Sequence, residues 1–370
     1  MKWLVAPNAF KGTIEADKAA AIIKRAILAF FPADEVRCCP IADGGDGTCF
    51  LLSELLGLEK VSAMATDPLG RPMEGFFSFD SNSRTAYLDV STVSGIKWLE
   101  EHEKAPEICS SYGTGELVLK AIQKGAEHIV MGLGGSATID MGSGILRALG
   151  LIFLDKNGRE IPVFSPGFLE KASHIQLTSK LPNIRFTFLC DVENTFFGQE
   201  GAIPVFGPQK GLKRKDLVKF EIISENFFQL LKSKSSKKLK DQKCFGAAGG
   251  IALGISSFFN TEMVPGAAYF FKAVKLREKL LASDLVITGE GRYDQQSSRG
   301  KGSHELLLMA KSMDKKIWLL TSGEEGNKSG FDHVLQLPDL DLDANHIEKT
   351  AEKQLYDTMM QNLHLATREP

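Results

Sequence analysis

Residues 1–40 read MKWLVAPNAFKGTIEADKAAAIIKRAILAFFPADEVRCCP, with a short apolar segment at each end and a longer mixed segment between them. The first apolar segment, residues 3–7, stops at a proline and predicts a buried strand. Residues 13–30 predict a helix with Thr13 as its cap. Residues 36–40 predict a second strand. This strand-helix-strand order favours a parallel sheet covered by helices.

The end of the chain repeats the same rhythm. Strands are predicted at residues 284–288, 317–321 and 333–337. Predicted helices at 303–313 and 344–364 alternate with them. The two ends of the chain are therefore expected to contribute to one open parallel sheet.

The pattern is different in the middle of the chain. Residues 60–66, 73–79 and 84–90 alternate apolar and polar positions between turn signals, which predicts an antiparallel meander. The remaining predicted elements restore the α/β rhythm: helix 114–124, strand 128–133, helix 141–149, strand 186–190, and helices 213–231 and 267–281.

The sequence thus predicts an α/β fold of two domains. A Rossmann-like parallel-sheet domain is built from both chain ends, and a second α/β domain is inserted between them. The predicted boundaries assign residues 1–62 and 265–370 to the first domain and residues 63–264 to the inserted domain.

Composition excludes several classes of protein. The chain has 370 residues, 43% of them hydrophobic, which is ample for a buried core. The net charge of −2 provides no basic field for nucleic acid or an anionic membrane. Its apolar runs are too short to cross a bilayer, and the N-terminus lacks the pattern of a signal peptide. Six scattered cysteines without a C-x-x-C pair indicate reduced thiols in the cytoplasm.

Charged residues follow the first two predicted strands. Lys11 lies in Phe10-Lys11-Gly12, where it can meet a phosphate or carboxylate or remain a surface lysine beside a turn glycine. Asp43 and Asp46 flank Gly44-Gly45 before a predicted helix. Two carboxylates around a flexible glycine pair suit Mg²⁺, although an N-cap and a turn would explain them as well.

A glycine pattern follows the predicted strand at 128–133. Gly132-x-Gly134-x-x-Ala137, with Asp155 further on, resembles the dinucleotide fingerprint, in which glycines admit a pyrophosphate and an acid binds ribose. Asp155 leads into Lys156-Asn157-Gly158, so it can equally mark a hairpin corner. Small residues at a helix start allow close approach to a phosphate without requiring NAD.

Polar side chains also end later strands. Asp191 closes a buried strand, and Lys210 is presented by the rigid turn Gly207–Gly211. The strand at 284–288 delivers Gly289-Glu290-Gly291-Arg292, followed by Asp294 and Lys301, which favours a functional site over a solvated surface. The P-loop pattern, H-E-x-x-H and G-x-S-x-G are absent from the sequence.

Taken together, these stretches resemble the bacterial two-domain glycerate kinase family, distinct from P-loop and plant-like glycerate kinases. The likeness runs from Ala6 to at least Lys301. Departures include Asn8-Ala9 in place of an Asp-Ser pair, Asp46 in place of glutamate, and Ile139 in place of asparagine. The strongest matches are Phe10–Gly12, Ala42–Thr48, Ser111–Leu117, Gly134–Thr138, Val205–Gly211 and Ile287–Arg292.

The resemblance implies an active site in a cleft between two α/β domains. It implies an ATP- and Mg²⁺-dependent kinase that converts D-glycerate, most often to 2-phosphoglycerate. The expected partners are these small molecules, with a homodimer possible and no nucleic acid or membrane. Two rivals stay open: an NAD-dependent hydroxy-acid oxidoreductase, and a non-catalytic protein that binds a sugar acid.

Within this hypothesis each candidate residue has a role in phosphoryl transfer. Magnesium ligands are Asp43 and Asp46. Nucleotide-binding residues are Gly134, Gly135, Ser136, Thr138, Gly289, Glu290 and Lys301. Catalytic residues are Lys11 and Lys210, which neutralise charge, Arg292, which grips the glycerate carboxylate, and Asp191 or Asp294, which orients or deprotonates the acceptor hydroxyl.

Overall fold

The computed structural model divides the chain into two compact units. The terminal unit comprises Met1–Asp43 and Pro265–Pro370, and the inserted unit comprises Gly44–Val264. The structure describes residues 1–10, 12–177, 181–294, 297, 301–323, 329–340 and 346–366.

The terminal unit is built on a five-stranded sheet in which all neighbouring strands are parallel. Numbered by their sequence order within the unit, the strands lie in the order 2-1-3-4-5. This is one of the two common doubly wound orders, and its switch point lies between the first and third strands. The strands are β1 (Lys2–Val5), β2 (Glu35–Cys38), β11 (Leu285–Arg292), β12 (Lys316–Ser322) and β13 (His333–Gln336).

Helices cover this sheet, and their apolar faces form its core. On one face, Ile23 and Ile27 pack with Leu355 and Met359 in a single buried cluster. Trp3 and Trp318 lie in the same cluster with their rings edge to face, 6.3 Å apart. Strands that are buried nearly throughout are typical of a parallel sheet with helices on both faces. The helices are α1 (Ala16–Phe30), α10 (Gly266–Ala273), α11 (Leu276–Leu281), α12 (Gly302–Ser312) and α13 (Ile347–Asn362).

The inserted unit has a six-stranded mixed sheet. Its first three strands form the predicted antiparallel meander, and the next two continue the sheet in parallel. The sheet order is β10-β9-β6-β5-β4-β3. A separate antiparallel hairpin joins β7 to β8. The strands are β3 (Glu59–Thr66), β4 (Pro72–Asp80), β5 (Thr85–Asp89), β6 (His128–Gly132), β7 (Leu151–Leu154), β8 (His174–Leu177), β9 (Arg185–Cys190) and β10 (Asn260–Pro265).

The helices of the inserted unit enclose a core rich in phenylalanine. Phe153 and Phe227 stack in this core, as do Phe186 and Phe188. No helix among the described residues is long and apolar enough to span a membrane. The helices are α2 (Thr48–Leu56), α3 (Ser91–Ser94), α4 (Tyr112–Lys124), α5 (Ser143–Ala148), α6 (Phe168–Lys171), α7 (Ala202–Phe206), α8 (Leu217–Lys234) and α9 (Ile251–Ser256).

Three details differ from the sequence-based expectations. Thr13 does not cap α1, because its hydroxyl donates to the Phe10 carbonyl and Glu15 occupies the N-cap position. The helix predicted over 267–281 is two helices, α10 and α11, because Lys275 adopts a left-handed φ of 51°. The first unit boundary falls after Asp43 instead of residue 62, since α2 packs on β5 and β6 and β3 pairs with β4.

Candidate functional site

Polar residues meet at the switch point of the terminal unit, beyond the carboxyl ends of its strands. Asn8 follows β1, Asp43 follows β2, and Glu290 lies near the end of β11. Asn8 Nδ2 donates to Asp43 Oδ2 at 2.9 Å, and the Asn8 backbone N–H donates to the Gly289 carbonyl at 2.8 Å. In doubly wound sheets this crevice is where ligands bind.

Glu290 is the most unusual side chain at this point. It is buried, and Ser297 Oγ donates to its Oε2 at 3.1 Å. Its Oε1 is buried and has no hydrogen-bond partner within the part of the chain that the structure describes. Burial raises the pKa of Glu290 to about 7, opposed by hydrogen bonding to Ser297, the charge of Lys301 and hydrogen bonding to Ser303.

Helix α12 begins beside this carboxyl group. Lys301 is its N-cap residue, and Ser303 Oγ donates to the Gly289 carbonyl at 3.4 Å. Ser297 links Asp294 to this carboxyl group, because the Ser297 backbone N–H donates to Asp294 Oδ1 at 3.1 Å. Five described residues, Asn8, Asp43, Glu290, Ser297 and Lys301, are called the switch-point cluster below.

The other predicted residues of the terminal unit are Arg292, Lys11 and Gly289. Arg292 is exposed at the end of β11. Lys11 lies outside the described residues. Close packing explains why residue 289 is a glycine. A Cβ there would lie 2.8 Å from Phe10 Cζ and 2.9 Å from the Leu320 carbonyl oxygen.

In the inserted unit, glycines allow two loops to touch. A Cβ at Gly134 would lie 2.2 Å from the backbone nitrogen of Asp46, and one at Gly132 would lie 2.1 Å from Asp89 Oδ1. Gly44 has a φ of 104°, and a Cβ there would lie 2.8 Å from the Cys190 carbonyl carbon. The 132–138 segment, called the glycine-rich loop below, and the end of β9 therefore both contact the 44–47 loop. Asp191, half-buried, is the next residue after Cys190.

Asp46 is held within the inserted unit. Its Oδ1 accepts a hydrogen bond from Ser91 Oγ and lies 3.8 Å from Lys97 Nζ, with about half of the side chain exposed. Gly135 packs against it, since a Cβ on Gly135 would lie 3.1 Å from Asp46 Cγ. Among the described residues, no group of three or more His, Cys, Asp or Glu side chains could hold a metal ion.

Lys210 supports the glycine-rich loop from inside the unit. It is buried, and its Nζ donates to Ser136 Oγ at 2.8 Å and to the Thr138 carbonyl at 3.0 Å. Desolvation lowers the pKa of Lys210 to about 8, an effect that the nearby Asp140 opposes. The ammonium group is therefore occupied by the loop. Thr138 Oγ1 is buried without a partner among the residues described.

Two acids that the sequence reasoning missed fix helix starts. Asp89 accepts hydrogen bonds from the backbone nitrogens of Cys49 and Phe50, both at 3.0 Å, and burial raises its pKa to about 6. The sequence contains one sign of this capping role: α2 begins after Gly47, which has no side chain to act as a cap.

Asp140 does the same for two helices. It accepts from the backbone nitrogens of Ser111, which precedes α4, and of Gly142, which precedes α5, at 2.9 and 3.0 Å. Burial raises the pKa of Asp140, although these hydrogen bonds oppose the effect. The acid is local at α5, two residues before Gly142, whereas at α4 it comes from a distant part of the chain.

The dinucleotide interpretation of the glycine-rich loop does not fit the structure. Asp155 Oδ1 accepts from the backbone nitrogens of Asn157 and Arg159, at 2.8 and 2.9 Å, so Asp155 is a turn residue. Helix α5 begins only at Ser143, well beyond the glycine pattern. Gly132 and Gly134 are required by neighbouring protein atoms, as described above.

The inserted unit also contains a cavity of about 360 Å³. Its lining is mixed: polar residues such as Asp140, Ser143, Glu170 and Lys219 contribute to it together with apolar side chains. Its volume lies in the usual range for small-molecule sites. The apolar lining residues include Ile108, Phe168, Leu212, Phe220 and Ile223.

Comparison with known proteins assigns the class. A sequence profile of the glycerate kinase family matches residues 3–367. A glycerate kinase from Bacillus subtilis (strain 168) is 35% identical and covers 86% of this chain and 84% of its own length. A glycerate 2-kinase from Escherichia coli (strain K12) is 33% identical with the same coverage.

A solved structure agrees with the sequence relatives. The crystal structure of a Salmonella typhimurium LT2 protein, named as a candidate glycerate kinase 2, superposes with a TM-score of 0.83 at 29% identity. The match covers 99% of this chain and 97% of that one. The two-unit α/β architecture and the matching sequences define an enzyme of the phosphotransferase class. The chain belongs to the glycerate kinase family, which confirms the resemblance and the fold class predicted from sequence.

Proposed function

We propose that this protein transfers the γ-phosphoryl group of ATP to D-glycerate and forms 2-phosphoglycerate. The observation that carries the proposal is the family match over residues 3–367, together with relatives named glycerate kinase and glycerate 2-kinase. We expect the reaction to take place in the cytoplasm, without nucleic acid or membrane. A homodimer is compatible with the proposal but is not required by it.

The glycine-rich loop supports binding of the donor phosphates. Backbone N–H groups of Gly134, Gly135 and Ser136 are small-residue donors of the kind that accommodate phosphate oxygens. Lys210 supplies positive charge directly behind them and fixes Ser136 and Thr138. Catalysis of this kind depends mainly on positioning and charge stabilisation, which such a loop provides.

The carboxylates support a Mg²⁺ ion that arrives with the nucleotide. Mg²⁺ prefers oxygen ligands and usually takes only one or two protein carboxylates, with water and phosphates completing its shell. Asp43 and Asp46 would hold it in this proposal, which does not require a cluster of three protein ligands. When bound, Mg²⁺ would neutralise charge on the phosphates.

The remaining residues act on the acceptor in this proposal. Arg292, which is exposed, would bind the glycerate carboxylate as a bidentate donor. Lys11 would add positive charge, and Asp191 or Asp294 would orient the acceptor. We retain the sequence-based expectation that transfer takes place in a cleft between the two domains.

A coupled assay tests the proposal. ATP and D-glycerate are supplied with Mg²⁺ or with a chelator, ADP formation is followed, and phosphorus NMR distinguishes phosphorylation at C2 from C3. We expect glycerate-dependent ADP release only with Mg²⁺, and a C2 product. NADH oxidation that survives chelation would favour an oxidoreductase. Thermal stabilisation by D-glycerate without turnover would favour a non-catalytic binding protein.

A further inference from the structure

The buried Oε1 atom of Glu290 points to a missing hydrogen-bond donor. Glu290 is only 6% exposed, yet this oxygen has no partner in the described part of the chain. Leaving a buried acceptor unpaired is unfavourable, and folded proteins pair nearly all such atoms. A ligand that donates an O–H group would remove this cost.

The carboxyl group is also held in a fixed orientation. Ser297 Oγ donates to Oε2, and the same hydroxyl accepts from the backbone nitrogen of Asp294 at 3.1 Å. Because Oε2 is hydrogen-bonded to Ser297, Oε1 is the oxygen that a ligand can reach with a hydrogen bond. This arrangement distinguishes Glu290 from an acid that has merely been buried by packing.

A second feature indicates that the ligand carries negative charge. Helix α12 is 11 residues long and begins at Gly302, next to the cluster. The first N–H groups of a helix have no partners within the helix and attract anions, and Lys301 adds a positive charge at the same end. The site therefore combines an acceptor for an O–H group with a positive helix terminus.

This combination fits a small hydroxy acid better than a polyphosphate. A hydroxy acid has an O–H donor for Glu290 and a carboxylate, which the helix terminus attracts in place of the Arg292 contact proposed above. The triphosphate group of a nucleotide offers only acceptor oxygens near neutral pH, and the Glu290 carboxylate would repel them. The chemistry of the cluster thus differs from the nucleotide-binding role predicted for Gly289, Glu290 and Lys301.

We propose that the switch-point cluster binds the hydroxy-acid acceptor and that Glu290 Oε1 accepts the proton of the hydroxyl that becomes phosphorylated. This inference rests on the proposed function. In the step, the acceptor O–H bond breaks and its proton goes to Glu290, while the oxygen forms a bond to the γ-phosphorus. The bond from that phosphorus to the β-γ bridging oxygen breaks, and ADP leaves with its electron pair.

Two substitutions at one position separate proton transfer from binding. Glu290→Gln keeps an acceptor oxygen but cannot take the proton, so we expect kcat to fall on the order of 10²–10³. Its Kd for D-glycerate should stay within about threefold. Glu290→Ala removes the acceptor, and we expect the Kd for D-glycerate to rise about 3- to 10-fold. The Kd for ATP should stay within about twofold in both variants.

Glu278→Gln is the matched control, because Glu278 is exposed on α11 of the same unit. It should have wild-type kcat and wild-type affinities. Calorimetry gives the two Kd values, and the coupled assay gives kcat. The inference is overturned if Glu290→Gln keeps kcat within threefold of wild type, or if the Glu290 variants lose affinity for ATP and keep it for D-glycerate.

The outcome can be separated from failure of the proposed function. If the wild-type protein shows no turnover with ATP and D-glycerate, the kinase proposal fails. Calorimetry with D-glycerate alone then still decides the acceptor site: weaker binding in Glu290→Ala with unchanged binding in Glu278→Gln supports it. Equal affinity in all three proteins, or no binding to the wild type, overturns it.

Discussion

In the two proposals above, the switch-point cluster and the glycine-rich loop bind their ligands through different kinds of group. In the cluster, a buried side chain keeps one oxygen open and has a raised pKa. In the loop, the lysine side chain is hydrogen-bonded to the loop itself, and backbone groups are what remains for a ligand. The comparison indicates that the cluster can offer a side-chain acceptor to a ligand, whereas the loop can offer only closely approaching backbone groups.

The largest effect is expected for Gly134→Ala. The new Cβ would lie 2.2 Å from backbone atoms of Gly45 and Asp46, which cannot move without separating two loops. We expect about 3 kcal/mol of destabilisation from overpacking. A displacement of the loop should also lower kcat/KM for ATP on the order of 10². Urea unfolding and steady-state kinetics measure both.

Gly158→Ala is the control for that substitution. Gly158 has a φ of 76°, but a Cβ there would meet nothing within 4 Å. It should cost about 1 kcal/mol through backbone strain and leave kinetics unchanged. If both variants keep wild-type kcat/KM, close approach of the glycine-rich loop is not what the enzyme requires.

The pH dependence of stability tests the cluster. Because burial raises the pKa of Glu290 from 4.5 to about 7, the folded state favours the protonated carboxyl group. Its contribution to stability is present below the pKa of the unfolded chain and is lost as pH rises from about 4.5 to about 7. The loss reaches at most about 3 kcal/mol, since each pH unit of difference corresponds to about 1.4 kcal/mol.

Glu290→Gln removes this dependence because an amide does not titrate. Relative to wild type, the variant should be more stable at pH 8 than at pH 5, as measured by urea midpoints at both pH values. Glu278→Gln should follow wild type throughout. Parallel curves for all three proteins would show that the Glu290 carboxyl group is not desolvated as described.

Lys210→Met tests the support behind the loop. The substitution keeps a long apolar side chain but leaves Ser136 Oγ and the Thr138 carbonyl without their donor. We expect about 2 kcal/mol of destabilisation, and a higher KM for ATP because the loop is less well ordered. Lys215→Met, at an exposed position, should stay within about 0.5 kcal/mol of wild type. Equal unfolding midpoints for these two variants would contradict the role given to Lys210.

The smallest effect is expected for Asp89→Ala. Asp89 caps α2 from a neighbouring strand, and losing a cap typically costs about 1 kcal/mol. Glu54→Ala, exposed on the same helix, serves as the control. Thermal unfolding should separate the two, and a loss confined to Glu54→Ala would refute the capping role.

Local patterns were enough to predict most of the fold. Strands β1 and β12 contain continuous apolar runs, and the meander strands alternate, so these could be identified from neighbouring residues alone. The split at Lys275 could not, because a single left-handed residue leaves the apolar pattern unchanged. The boundary after Asp43 was also not predictable. It depends on the sheet against which α2 packs, and the sequence of α2 does not specify that sheet.

The candidate site was less predictable for a related reason. Residue types indicated that Asp43 and Glu290 are functional, but the contact of Asn8 with Asp43 and the open oxygen of Glu290 arise only when strands distant in sequence become neighbours. The burial of Lys210 is likewise a property of the folded unit. The exposure of a lysine side chain cannot be inferred from its position in a turn between glycines.

The edge-to-face pair of Trp3 and Trp318 has a consequence for following the folding reaction. The only other tryptophan, Trp98, lies in the inserted unit and is 43% exposed. In a Trp98→Phe protein, all indole fluorescence would come from a contact that joins the first and last parts of the chain. Because the two indoles are separated by the whole inserted unit in sequence, their coupled near-ultraviolet dichroism would time the moment when the chain termini come together.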